Sequence, residues 1–142
     1  MENLCAVART LWIGGLWVIG IVVTPILFSA LDHVSAGMVA GRLFQAIAWV
    51  GLVCGVILLV SCVWRDGVRG MKGGGFWLLV AMLACTIINH FAVSPIIANL
   101  KLHMNQAAEG LFGGGFATWH TLSSLIYLLQ SLLGLAYILR KE

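Results

Sequence analysis

Four long stretches of this chain contain almost no charge, and they limit its folding options more than any other feature. They run from Leu11 to Leu31, Leu43 to Trp64, Phe76 to Leu100 and Phe116 to Leu139. A helix needs about 20 apolar residues to cross about 30 Å of hydrocarbon. Backbone polar groups in that medium must be satisfied within the segment, which leaves helices or closed barrels. Alternating apolar and polar strands of about ten residues are absent, so a barrel is excluded. The expectation is an all-α, four-helix transmembrane bundle. It forms one domain over residues 1–142, with helices near 8–31, 41–64, 76–100 and 116–139.

Composition agrees. Hydrophobic residues make up 61% of the chain and charged ones 9%, against roughly 45–50% and about 25% in soluble domains. A soluble enzyme, a disordered chain and a free nucleic-acid binder are thereby excluded. The net charge of +3 is not a nucleic-acid footprint, because the basic residues sit at the ends of apolar stretches, where topology signals lie. The partner of this surface is the lipid bilayer. The first stretch is not read as a cleaved leader. Its apolar run exceeds the usual 7–15 residues of such segments and holds Trp12, Trp17 and Pro25.

Lys and Arg set the orientation. Arg9, Arg65, Arg69, Lys72, Arg140 and Lys141 make six on one side, and Arg42 with Lys101 make two on the other, together the eight of the chain. The richer side is expected in the cytoplasm, with both termini. The connection 65–75 holds Gly67, Gly70, Gly73, Gly74 and Gly75. It reads as a short flexible turn that makes the second and third helices antiparallel neighbours. Gly37 with Gly41, and Gly51 with Gly55, have the small-xxx-small spacing that lets helices approach closely, within the chain or in a homo-oligomer. Trp12, Trp64, Trp77 and Trp119 read as an interfacial belt, and Trp17 and Trp49 as packing residues.

Polar residues inside hydrocarbon are costly, so their placement is informative. On the fourth segment His120, Ser123, Ser124, Tyr127, Gln130 and Ser131 fall at i, +3, +4, +7, +10 and +11, one helical face. On the third, Thr86, Asn89, His90 and Ser94 do the same. The two stripes should face the interior and each other. His90 lies roughly 21 Å up the third helix and His120 roughly 6 Å below the outer boundary, at 1.5 Å per residue. Arg42 and Gln45 open the second helix at the same outer level, so a polar network is expected in the outer half. Three readings fit it. One is a hydrogen-bonded structural network. The second is a haem b or quinone held by His90 and His120 between the third and fourth helices. The third is a solute or soft-metal path using His90, His120, Cys54 and Cys85. The cysteines show no paired spacing and read as small buried hydrophobes. No carboxylate lies inside a helix and no GxSxG motif is present, so nothing supports an enzyme.

Three places resemble the bacterial branch of the transmembrane protein 205-like family, whose defining domain has no assigned function. They are Leu11-Trp12-Ile13-Gly14-Gly15 with Thr24-Pro25-Ile26-Leu27-Phe28, Asn89-His90 through Ser94-Pro95 to Met104, and Phe116-Ala117-Thr118-Trp119-His120-Thr121-Leu122-Ser123-Ser124-Leu125. Where that family often has Gly after the histidine, this chain has Thr121. The resemblance implies a four-helix bundle, a multi-pass location in the bacterial inner membrane, and handling of soft metals or efflux. A fainter similarity at Leu11-Trp12-Ile13-Gly14-Gly15-Leu16 is to copper-resistance and haem-binding membrane proteins.

The Lys and Arg asymmetry makes a direct prediction. A reporter active only in the periplasm should be silent when fused after Glu142 and active when placed near Glu109. The reverse pattern would invert the orientation.

Overall fold

A computed structural model describes residues 1–102 and 116–140. Among these residues there is no strand, and four helices are long and apolar enough to cross a membrane. They are α1 (Glu2–Ala30), α2 (His33–Lys72), α3 (Gly74–Asn99) and α4 (Phe116–Leu139). The chain is an all-α, multi-pass membrane protein. Each helix packs on the next in sequence, and the Thr10–Gly14 stretch of α1 reaches α4 to close the bundle.

The helices run beyond the apolar stretches that mark them. The α2 helix begins at His33, where the Asp32 carboxylate accepts a hydrogen bond from the Ser35 amide at 3.0 Å and caps the first turn. It continues through the glycine-rich segment to Lys72. The flexible connection expected at 65–75 is instead a helical corner. Only Gly67 leaves the helical region, at φ 56° and ψ −145°, a conformation open to a residue without Cβ. Beyond it Gly70 packs on Cys62, whose carbonyl a Cβ would meet at 3.0 Å. Gly73 ends the corner in extended backbone and α3 starts at once.

Both α1 and α3 are interrupted by wide π turns, at Thr10–Gly14 and Val18–Val23 in α1 and at Ile88–Val93 in α3. The second and third of these lie just before Pro25 and Pro95. A proline lacks the N–H of the regular ladder, and its ring collides with the carbonyl four residues back. Widening the preceding turn relieves that collision.

The tight core lies toward the end that carries the termini and the Gly67 corner, here called the basic end. Trp12 and Met82 are 0% exposed, Ile13 and Leu79 1%, and Leu58 3%. Trp12 packs on α2 against Gly51 and Gly55. A Cβ on Gly55 would stand 3.0 Å from the indole, and one on Gly51 would overlap it. This glycine pair is therefore occupied within the chain. Gly41, by contrast, is exposed with open space at its Cβ position. The tryptophan roles differ from those expected. Trp12 is the core anchor because α1 starts at Glu2, which puts Trp12 well inside the helix. Trp49 is 53% exposed and faces outward.

This packing makes the fold testable. Trp12→Ala should lower unfolding stability in detergent by about 3–5 kcal/mol, whereas Trp64→Ala, at a side chain 78% exposed, should change it by no more than about 0.5 kcal/mol. Equal losses would contradict the core described here.

Candidate functional site

The seam between α3 and α4 carries the polar groups. Midway along it, Thr86 and Gln130 are the buried polar side chains among the described residues. The Gln130 amide donates to the Thr86 hydroxyl at 2.9 Å, and that hydroxyl donates to the Met82 carbonyl at 3.1 Å. Each bond removes a polar atom that hydrocarbon would leave unsatisfied. One turn below, Gly134 lets Ile13 and Met82 press onto α4.

Farther from the basic end the seam stays polar. Ser123 of α4 donates to the Asn89 side-chain oxygen of α3 at 2.8 Å. Between these pairs, the Tyr127 hydroxyl crosses to α1 and donates to the Leu16 carbonyl, just before the wide turn at Val18. The Tyr127 ring meets Phe44 of α2 edge-on at 4.9 Å and lies against Gly20, where a Cβ would come within 2.6 Å of it. Tyr127 thus touches two other helices in the bundle's middle: α1 at Leu16 and Gly20, and α2 at Phe44.

The remaining residues singled out from the sequence are dispersed. His90 is half-buried on α3 and meets Trp49 of α2 edge-on at 5.5 Å and Phe91 at 4.7 Å. His120 is exposed on α4, where its carbonyl accepts from Ser124 at 2.9 Å. Ser124 bonds to its own helix in this way rather than across the seam. Ser94 likewise donates to the Asn89 carbonyl at 2.9 Å. Arg42 and Gln45 lie exposed on α2. Cys54 belongs to the apolar core and Cys85 is half-buried. Among the described residues no three His, Cys, Asp or Glu side chains gather closely enough to hold a metal ion. The proposed quartet of His90, His120, Cys54 and Cys85 is therefore not assembled as one ligand set. Across the seam between α3 and α4, the place expected for a haem b or quinone, the Thr86–Gln130 and Asn89–Ser123 hydrogen bonds join the two helices directly.

Two contributors escape a side-chain reading of the sequence. The Leu16 carbonyl is a main-chain acceptor, and Thr24 donates to the Ile19 carbonyl at 2.8 Å. A hydroxyl residue directly before the helical proline is the signal that marks Thr24; the Leu16 carbonyl carries none. Chemically, the assembled groups are hydroxyls, amides and carbonyls, able to hydrogen-bond a polar solute.

A family model described as a domain of unknown function, DUF4149, matches residues 7–106. The match spans α1 to α3 and includes Trp12, Tyr127's acceptor Leu16, Thr86 and Asn89. No curated protein and no solved structure matches the chain.

A double-mutant cycle on Thr86→Val and Gln130→Leu should give a coupling of about 0.6–2 kcal/mol in thermal unfolding. His120→Gln should cost on the order of 1 kcal/mol or less and leave any bound species in place. A cycle with no coupling would mean that the buried pair does not form.

Proposed function

The chain belongs to the DUF4149 family, which lends it no activity, and from that premise we propose that it is a non-enzymatic protein of the bacterial inner membrane that aids export of a small polar solute. The site is the polar seam in the half of the bundle away from the basic end, with Asn89, Ser123 and Tyr127 as its hydrogen-bonding groups. The observation that carries this reading is the meeting of interhelical polar pairs with interrupted helices. Asn89 lies inside the wide turn of α3, and the Leu16 carbonyl lies at the edge of a wide turn of α1. Interrupted membrane helices that offer backbone carbonyls beside polar side chains are where small transporters place their sites. The donors suit a neutral or singly charged solute better than a soft metal ion, which prefers thiolate or imidazole. The transmembrane protein 205-like resemblance supports an efflux role, and the Lys and Arg asymmetry supports the outward placement of this half.

Tolerance assays test the reading. Overproduction in a deletion strain should raise tolerance to one or more compounds in a panel of small polar solutes. The Asn89→Ala, Ser123→Ala chain, made at the same level, should lose that gain. Protection confined to copper, silver or cadmium and removed by His90→Gln would replace the polar solute by a soft metal. No protection against any compound would refute export.

One observation favours a second reading. His90, Trp49 and Phe91 form a cluster of three mutually edge-on rings with centroids 4.7, 5.5 and 6.4 Å apart, and the Trp49 and Phe91 side chains are 53% and 56% exposed. A single imidazole framed by aromatic rings suits a quinone entering from the lipid, at the α2–α3 surface rather than between α3 and α4. Solvent extraction of the purified protein should then yield quinone, and His90→Ala should abolish it.

A further inference from the structure

The same four-residue pattern stands at the same place in two helices. It is Val23-Thr24-Pro25-Ile26 in α1 and Val93-Ser94-Pro95-Ile96 in α3. The structure gives both copies one geometry. Each is preceded by a six-residue π turn that ends on the valine, Val18–Val23 and Ile88–Val93. In each, the hydroxyl before the proline donates to the carbonyl five residues back, Thr24 to Ile19 at 2.8 Å and Ser94 to Asn89 at 2.9 Å. That carbonyl also accepts the backbone N–H of the same residue, so the hydroxyl adds a second bond to an acceptor of the widened ladder. In each, the hydroxyl residue also keeps helical backbone, so the helix continues through the proline. The return helices carry no such break: α4 is continuous, and α2 departs from helical geometry only at Gly67, at the basic end.

Packing divides along the same line. Beyond its wide turn, the Thr24–Ala30 segment rests on α2, and the Ser94–Leu102 segment rests on α4. Each far segment thus leans on the return helix of its own pair. Contacts that join the pairs fall at the level of the wide turns, where Tyr127 meets Leu16, Gly20 and Phe44 and Trp49 meets His90, and nearer the basic end, where α3 packs on α2 and the Thr10–Gly14 stretch of α1 packs on α4. Burial follows suit. The Trp12, Ile13, Leu79 and Met82 side chains are closed off, while the Thr24–Ala30 segment holds no buried residue.

We propose that α1–α2 and α3–α4 are two copies of one helical-hairpin unit, and that the bundle opens and closes at its far end by bending of α1 and α3 about their paired wide turns. The unit explains why the interruptions fall in the first and third helices and not in the second or fourth. Bending there separates segments that are held mainly within their own pair, and leaves the tight core about Trp12 undisturbed. Asn89, inside one of the two bending turns, changes its distance to Ser123 as α3 moves. The proposal rests on backbone geometry and packing and stands whether or not a solute is exported.

Pulsed electron-paramagnetic-resonance distances in lipid nanodiscs test it. Cys5, Cys54, Cys62 and Cys85 are first replaced by Ala, with circular dichroism and melting as the check on fold. Spin labels at Ala30→Cys and Asn99→Cys then report the far end, and labels at Ala6→Cys and Trp77→Cys report the basic end. The far-end distance distribution should be at least about twice as wide as the basic-end one, as hinge motion at element ends requires. Pro25→Ala with Pro95→Ala should narrow it toward the basic-end width, because both ladders then close. Equal widths in the starting chain, or a far-end width unchanged by the two alanines, would overturn the proposal. Hydrogen exchange on the chain with its own cysteines gives a second measurement. Amides of 24–30 and 94–99 should exchange about tenfold faster than those of 11–17 and 79–87, in the manner of local opening. The proline replacements should slow the faster set. Uniform exchange along α1 and α3 would also overturn it.

Discussion

Hydrocarbon offers no hydrogen-bond partner, and much of the arrangement of this molecule follows from how polar atoms inside the bundle find one within the chain; the Trp12 indole N–H, enclosed in the core without a partner, is an exception. Most backbone groups are satisfied by helical ladders. Near the two helical prolines the ladders widen, and there hydroxyls add bonds to main-chain carbonyls. Thr24 and Ser94 serve their own helices, while Tyr127 reaches across from α4 to the Leu16 carbonyl of α1. The side chains that could not be left alone, Gln130 and Asn89, are matched by Thr86 and Ser123. These matched pairs fix the relative height of α3 and α4, since a one-residue slip would separate both at once.

Satisfying polar atoms does not by itself hold helices together, because lipid tails are as apolar as leucine. Close packing does that, and here it is concentrated about Trp12. A large ring needs room to approach, which Gly51 and Gly55 of α2 provide. Ile13 and Met82 pressed onto Gly134 extend the same contact to α4. The result is a bundle with two unlike halves. Near the basic end it is tight, about Trp12 and Ile13 in the first wide turn of α1, and away from it lie the two wide turns that precede prolines, the Asn89–Ser123 pair and the Thr24–Ala30 segment with no buried residue. A polar site and a moving part both belong in the second half, where reorganisation disturbs the fewest contacts.

The four spans were legible because hydrophobic length is a strong signal. The facing of the α3 and α4 stripes was legible because helical periodicity selects one side of a helix. That periodicity is blunt about the edges of a face. On α4 the seam takes Ser123, Tyr127, Gln130 and Gly134, while His120 and Ser124 fall on the flank and are exposed. Helix ends were not legible, since Glu2–Arg9 and the 65–72 segment are helical without being apolar enough to mark a span. That shift in the start of α1 turned Trp12 from an expected interfacial residue into the core anchor. The repeated hydroxyl–proline pattern stood in plain sight at Thr24-Pro25 and Ser94-Pro95. Its meaning depended on the wide turns that precede it, and apolar residues such as Val18–Val23 carry no local signal for those.

The account turns on the Gln130–Thr86 bond at the centre of the seam, since it places α4 against α3 and separates the tight half from the polar one. Magic-angle-spinning NMR of the chain in lipid bilayers, with Gln and Thr selectively labelled, reads this contact directly. The account predicts a cross-peak between the Gln130 side-chain amide and the Thr86 side chain, with that amide protected from exchange with water. A water-exchanging Gln130 amide with no Thr86 contact would contradict it.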